Sequence, residues 1–177
     1  MTNAVTTLDG ALGLIREVPD FPQPGVLFRD INPVLADPAA LRVLVDALAA
    51  TADPVPDVVL ALEARGFLLG AAVAYSLGLG VVPVRKAGKL PEVAHRVDYA
   101  LEYGTATFEL PAGVLRPGQR VLVVDDVLAT GGTVEAACEL VERAGCSVSG
   151  VSVVFEIGAL GGRERLVGRK VSALLGV

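Results

Sequence analysis

Residues 121–133 read VLVVDDVLATGGT. Four apolar residues run into two adjacent aspartates, and a turn of Ala, Thr and two glycines then closes on a second Thr. A short, continuous apolar run between turn signals fits a buried strand, and open α/β sheets bind ligands beyond the carboxyl ends of their strands. Backbone N–H groups of a glycine-rich turn that opens a helix form an anion cradle, and glycines let the backbone reach phosphate oxygens with no Cβ between. Ala129, Thr130, Gly131, Gly132 and Thr133 make up that turn and add two hydroxyl donors. Asp125 and Asp126 supply acceptor-only carboxylates, which suit ribose hydroxyls or a hydrated Mg2+. Phosphate on one side and vicinal hydroxyls on the other describe a ribose 5-phosphate. The plainer alternative is that the two aspartates cap a helix and do nothing else. The stretch is neither a Walker A loop, since GxxxxGKS/T is absent, nor a GxGxxG fingerprint.

The elements that must position this stretch can be read from patterning. Residues 57–62, 81–84, 120–125 and 147–157 are apolar runs of strand length, with a shorter one near 171–175. Helices follow the first run, from about Phe67, and the third, through 134–145 to a terminating Gly145. Strands of this kind separated by helices predict an α/β fold with a mostly parallel central sheet flanked by helices. Asp37 as N-cap and Pro38 at the first helical position open another helix, with Leu41, Leu44, Val45 and Leu48 on one face. An earlier helix carries Leu8, Leu12 and Ile15. Between these two, DFPQPGVLFRDINP (20–33) is too irregular for either period and reads as a structured loop. Residues 99–103 and 105–110 alternate as an antiparallel pair around Gly104. The segment 85–104 is basic at its start and interrupts the rhythm, so it reads as a flexible lid loop leading into that hairpin.

Composition narrows the function. A chain of 177 residues is most simply one domain. A net charge of −5 and a pI near 4.9 argue against a protein that coats nucleic acid, while leaving room for local Arg and Lys around a small phosphorylated ligand. Residues 66–84 carry no charge over nearly the length of a membrane span. Gly78, Gly80 and Pro83 divide them into a buried helix to about Leu77, a turn and a short strand, and no membrane partner is expected. The N-terminal residues lack the basic and long apolar regions of a signal peptide. One histidine and two cysteines, Cys138 and Cys146, are too few for the common zinc frameworks. The expectation is a cytoplasmic enzyme with reduced thiols.

VLVVDDVLATGGT resembles the phosphoribosyl diphosphate binding motif of the type I phosphoribosyltransferases. PDFPQPGVLFRDINPVL (19–35), EARGFLLG (63–70), RKAGKLP (85–91) and LEYG (101–104) resemble, in the same order, segments of the adenine phosphoribosyltransferases, and GGRERL (161–166) is compatible with them. The resemblance implies a single type I phosphoribosyltransferase domain over 1–177, with a base-recognition segment at 1–35 and a lid at 85–104. It implies transfer of 5-phosphoribosyl to adenine, giving AMP and pyrophosphate, with Mg2+ as cofactor and a homodimer as the working state. By the same resemblance, residues 63–66 form the pyrophosphate loop, often with a non-proline cis peptide, and Arg65, Lys86 and Lys89 hold the diphosphate with Arg85 in support. Asp125, Asp126 and 129–133 hold the ribose phosphate, and the aspartates are the candidate Mg2+ contacts. Leu27, Arg29 and Val127 contact the base. Glu102 is the acid–base residue, with Tyr103 orienting the base or closing the site.

Some positions depart from the family pattern. Asn32 stands where Thr or Ser is expected, and Ala87 stands where Pro is common, which loosens the lid slightly. EVAHRVD (92–98) matches no pattern, and His95 within it reads as a solvent-exposed loop residue. Arg65 has a plainer reading as a partner of Glu63, Val127 as an ordinary core valine, and the basic run at 85–89 as a solvated face. Rival functions are transfer to another purine, or a non-catalytic regulator that senses phosphoribosyl diphosphate.

Overall fold

A computed structural model describes residues 7–100 and 105–177. The chain divides into two compact units, Met1–Ala47 and Leu48–Val177.

In the first unit, Thr7 caps the short helix α1 (Leu8–Leu12), its hydroxyl accepting from the Gly10 N–H at 3.2 Å. Strands β1 (Arg16–Pro19) and β2 (Leu27–Asp30) then pair antiparallel, with Arg16 opposite Asp30 and Pro19 opposite Leu27. The segment expected to be a loop is therefore half of a hairpin. Its strands are four residues each and show no inside–outside alternation that the sequence could reveal. The Asp20 carboxylate accepts the Gly25 N–H at 2.8 Å across the tip, and Phe21 meets Phe28 edge-to-face at 5.1 Å. Helix α2 (Asn32–Ala36) follows, opened by the Asn32 N–H donating to Asp30 at 2.9 Å. Helix α3 (Pro38–Ala50) starts as expected: the Asp37 carboxylate accepts from the N–H groups of Ala39 and Ala40.

The second unit is built on a seven-stranded sheet. Its strands are β3 (Val58–Leu62), β4 (Gly80–Lys86), β5 (Val93–Ala100), β6 (Thr105–Pro111), β7 (Arg120–Leu128), β8 (Ser147–Glu156) and β9 (Val171–Gly176), in the order β5-β6-β4-β3-β7-β8-β9. β4, β3, β7, β8 and β9 are mutually parallel, and β6 and β5 add an antiparallel wing beside β4. Helices α4 (Arg65–Leu77) and α5 (Gly132–Arg143) make the crossovers. β3 is buried at every position, as its unbroken apolar run requires. The uncharged stretch 66–84 resolves into α4, a left-handed Gly78 that ends it, and β4. No helix among the described residues is long and apolar enough to cross a membrane.

Two further expectations need correction. The hairpin begins at Val93, not near residue 99, so EVAHRVD is mostly strand. Val93, His95, Val97 and Tyr99 take the inward, more buried positions, and Ala94, Arg96 and Asp98 face out. A histidine in the inward series hid the alternation, and His95 is a half-buried strand residue opposite Leu110. Second, β7 runs three residues past Asp125. Its pairing with β3 stops at Ala61–Val124, while its pairing with β8 continues to Leu128–Glu156. Both aspartates therefore sit in the strand where one flank has opened and the other is still held.

Candidate active site

Three strand ends of the second unit converge on a cavity of about 250 Å3. β3 delivers Glu63, Ala64 and Arg65, the last as the first residue of α4, with a cis peptide between Glu63 and Ala64. β4 delivers Lys86, and β7 delivers Asp125, Asp126 and Val127. Thr133 of α5 and Tyr99 of β5 complete the lining. A smaller cavity adjoins it, bounded by Ala129, Thr130, Gly131 and Thr133 together with Asp125 and Val127.

The helix-cap alternative for the aspartates does not hold. α5 is capped by Gly131, in a left-handed conformation at φ 83° and with no side-chain cap bond. That leaves the first N–H groups of α5 beside the smaller cavity, which is the arrangement an anion needs.

Arg65, Arg85 and Lys89 are each matched with a carboxylate within the site. The Arg65 Nε donates to the Asp126 carboxylate at 2.5 Å, so its partner here is Asp126 and not Glu63. Glu63 instead gathers the basic run: Arg85 at 3.1 Å, the Lys86 backbone N–H at 2.9 Å and the Lys89 ammonium. Burial opposes ionisation of Glu63, but the hydrogen bonds from Lys89, the Lys86 N–H and Arg85 outweigh it and bring its pKa down to about 2. Arg85 also lies over the Phe67 ring, 5.5 Å from its centroid, which fits a supporting role.

Asp125 is more deeply held. Its carboxylate accepts the Asp126 N–H at 2.9 Å, and α4 approaches it closely: a Cβ on Gly66 would come within 2.8 Å of its Oδ1. Burial, and then the neighbouring Asp126 charge, push its pKa well up. The Tyr99 hydroxyl is pushed up by burial and by the charges of Asp125 and Glu63.

The structure thus gathers Arg65, Lys86, Asp125, Asp126, Val127 and Thr133 in one cavity, and places Ala129, Thr130 and Gly131 in the next. Gly132 begins α5. Lys89 reaches the group through Glu63. Leu27 and Arg29 lie on β2 of the first unit, with Leu27 exposed and Arg29 3.3 Å from Glu17. Glu102 and Tyr103 lie outside the described residues. Tyr99 and the gathering role of Glu63 were not anticipated. Glu63 stands in the quoted EARG segment, but nothing local marks Tyr99 as more than a strand aromatic.

Comparison with known proteins identifies the family. The phosphoribosyl transferase domain model matches residues 35–167, and the chain belongs to the type I phosphoribosyltransferase family. An adenine phosphoribosyltransferase of Saccharopolyspora erythraea is 66% identical over 168 residues, covering 95% of this chain and 91% of that protein. The crystal structure of adenine phosphoribosyltransferase from Thermoanaerobacter pseudethanolicus superposes with a TM-score of 0.93 at 45% identity, covering 97% of this chain and all of the other. The Saccharomyces cerevisiae enzyme, complexed with an imino-altritol bisphosphate and adenine, gives 0.88 at 38% identity over 93% of this chain and 98% of that one. Within the family the chain stands with the adenine phosphoribosyltransferases.

Proposed function

We infer that this chain transfers the 5-phosphoribosyl group of phosphoribosyl diphosphate to adenine, forming AMP and releasing pyrophosphate. The observation that carries the reading is the meeting, at the carboxyl ends of the central strands, of a buried aspartate pair, a Gly/Thr loop at a helix N-terminus and a set of cations. The loop 129–133 takes the 5-phosphate through backbone N–H groups and the two Thr hydroxyls. The aspartates take the ribose hydroxyls as acceptors.

A ring nitrogen of adenine bonds to C1′ as the C1′–O bond breaks and pyrophosphate leaves with its electron pair. Negative charge grows on the leaving group, and Arg65, Lys86 and Lys89 are the side chains assigned to meet it. Arg65 and Lys89 are paired with Asp126 and Glu63, so the diphosphate exchanges carboxylate partners for its own oxygens. The base sheds one proton, for which Glu102 is the assigned acceptor, with Tyr103 beside it. Leu27, Arg29 and Val127 are assigned to the base. Adenine presents an amine donor where 6-oxopurines present an acceptor, so a backbone carbonyl at that edge selects against them.

Mg2+ fits the donor chemistry as an ion that arrives with the diphosphate. Among the described residues no group of three or more His, Cys, Asp or Glu is arranged to hold a metal. Asp125 and Asp126 would supply oxygen contacts to it, as suits an ion that keeps waters and substrate phosphates as ligands. When bound, it supplies positive charge to the leaving oxygens.

We assign the cytoplasm as its compartment and a homodimer as its working form. Leu68 and Tyr75, both exposed on α4, support the latter.

The test is an assay with phosphoribosyl diphosphate, Mg2+ and each purine base in turn. AMP with little IMP or GMP is expected. Nucleotide from hypoxanthine or guanine at a similar rate would move the reading to another purine, and none from any base would favour a sensor.

A further inference from the structure

The segment 161–166, GGRERL, lies far along the chain from VLVVDDVLATGGT, yet its backbone lies against the phosphate loop. A Cβ on Gly162 would come 2.1 Å from the Ala129 carbonyl oxygen and 2.9 Å from the Gly131 nitrogen. Conversely, a Cβ on Gly131 would come 2.5 Å from the Gly162 carbonyl oxygen. Two glycines face one another with main chain on both sides and no side chain between. Real Cβ atoms do not approach backbone this closely, so no rotamer change can relieve either contact.

The turn that carries Gly162 is pinned elsewhere. Leu166 is buried in the core cluster beside α5 residues. Arg163 donates to the Glu156 carboxylate at the end of β8, at 2.5 Å from Nη2, and to the Val171 carbonyl at 2.9 Å on β9. Arg165 lies 3.4 Å from Glu135 in the first turn of α5. The turn Gly162–Leu166 is thereby tied to the sheet, to the core and to the helix that the phosphate loop opens.

We propose that this turn is the backing wall of the phosphate loop, and that Gly162 is a positioning residue for the 5-phosphate of phosphoribosyl diphosphate. The wall fixes the path of 129–131 and so the direction in which its N–H groups point. A phosphate held by several N–H groups at once loses all of them together when the loop shifts, because their directions are set by one backbone. This inference rests on the reading of 129–133 as the phosphate cradle.

Gly162 is the better position to test than Gly131. Gly131 sits at φ 83°, where any side chain adds backbone strain, whereas Gly162 is not among the glycines at positive φ. Gly162→Ala therefore isolates the steric contact. The expected result is a rise of about tenfold in the Kd for ribose 5-phosphate and in the KM for phosphoribosyl diphosphate, with the adenine KM within about twofold of the parent. A role in packing alone would lower the melting temperature or the active fraction and leave both phosphate-side constants in place, and that result overturns the proposal.

Should Gly162→Ala fail to fold, the double variant Arg163→Ala/Arg165→Ala decides. Its side chains are about half exposed, so it removes two ties of the wall and leaves the core intact. A weaker loss of ribose 5-phosphate affinity with unchanged adenine KM supports the wall, and unchanged affinity overturns it. Thr130→Ala/Thr133→Ala tests the cradle itself. If that variant binds ribose 5-phosphate as the parent does, the cradle reading fails and takes the wall with it. If it loses binding while Gly162→Ala keeps it, the wall alone fails.

Discussion

Neighbouring strands β3 and β7 are bridged by an Asp–Arg pair at each end of the sheet, and the two pairs behave differently. At the entry end, Asp57 and Arg120 close on each other completely. The carboxylate accepts Arg120 Nη2 at 2.9 Å, Nε at 3.2 Å and the Arg120 backbone N–H at 2.8 Å, while the Asp57 N–H donates back to the Arg120 carbonyl. Both side chains are partly exposed and no cavity adjoins them among those described. At the exit end, Asp126 is 6% exposed, Arg65 is 39% exposed, and both line the cavity where β3 has let go of β7. The same two residue types form a clasp where strands are joined and a poised charge where they part. What separates them is the register of the sheet, not the chemistry of the pair.

That contrast can be broken by mutation. Asp125→Asn with Asp126→Asn is expected to lower kcat/KM by about a thousandfold while the circular dichroism spectrum stays that of the parent. Undiminished affinity for phosphoribosyl diphosphate would sink the assignment of both carboxylates. Arg65→Ala is expected to cost about a hundredfold in kcat/KM with a melting temperature within about 5 °C of the parent. Full activity with a large loss of stability would make it a second clasp. Lys89→Ala is expected to raise the KM for phosphoribosyl diphosphate about tenfold and to leave that for adenine alone, measured by initial rates at fixed salt.

The smallest effect belongs to the entry end. Asp57→Asn should leave kcat/KM unchanged and lower the urea midpoint slightly at pH 7. The Arg120 side-chain and backbone hydrogen bonds bring the Asp57 pKa from 3.8 down to about 2. Its contribution is therefore present above pH 3.8 and is lost as pH falls through about 2. The parent and the variant should converge in urea midpoint across that window, and parallel curves would refute the clasp.

Much of the site was legible because its chemistry is local. The aspartates, glycines and threonines of 121–133 are contiguous, and the roles proposed for them follow from their residue types alone. Arg65, Lys86 and Lys89 were legible by position, each lying just beyond or at the end of an apolar strand. Partners were not legible. The plainer alternative for Arg65 pairs it with Glu63, two residues away, and the structure pairs it with Asp126 instead, because the pairing of β3 with β7 is a long-range fact that no local pattern carries. The same blindness hid the β1–β2 hairpin, whose strands are too short to alternate, and the start of β5, where His95 occupies an inward position. It also hid Gly162, whose constraint is visible only once two distant backbones are laid side by side.

The strand order has a consequence for how the site comes into being. β7 enters the sheet between β3 and β8, so the strand that carries both aspartates meets the cations of β3 and β4 only through non-local parallel pairing. A growing chain that has reached Gly118 already holds Arg65, Lys86 and Lys89, but neither the carboxylates nor the phosphate loop. Pairings of this kind form slowly, since loop closure must precede any gain from contact. Ligand protection should therefore appear late in refolding, together with closure of the whole sheet, and early intermediates should bind no phosphate at all.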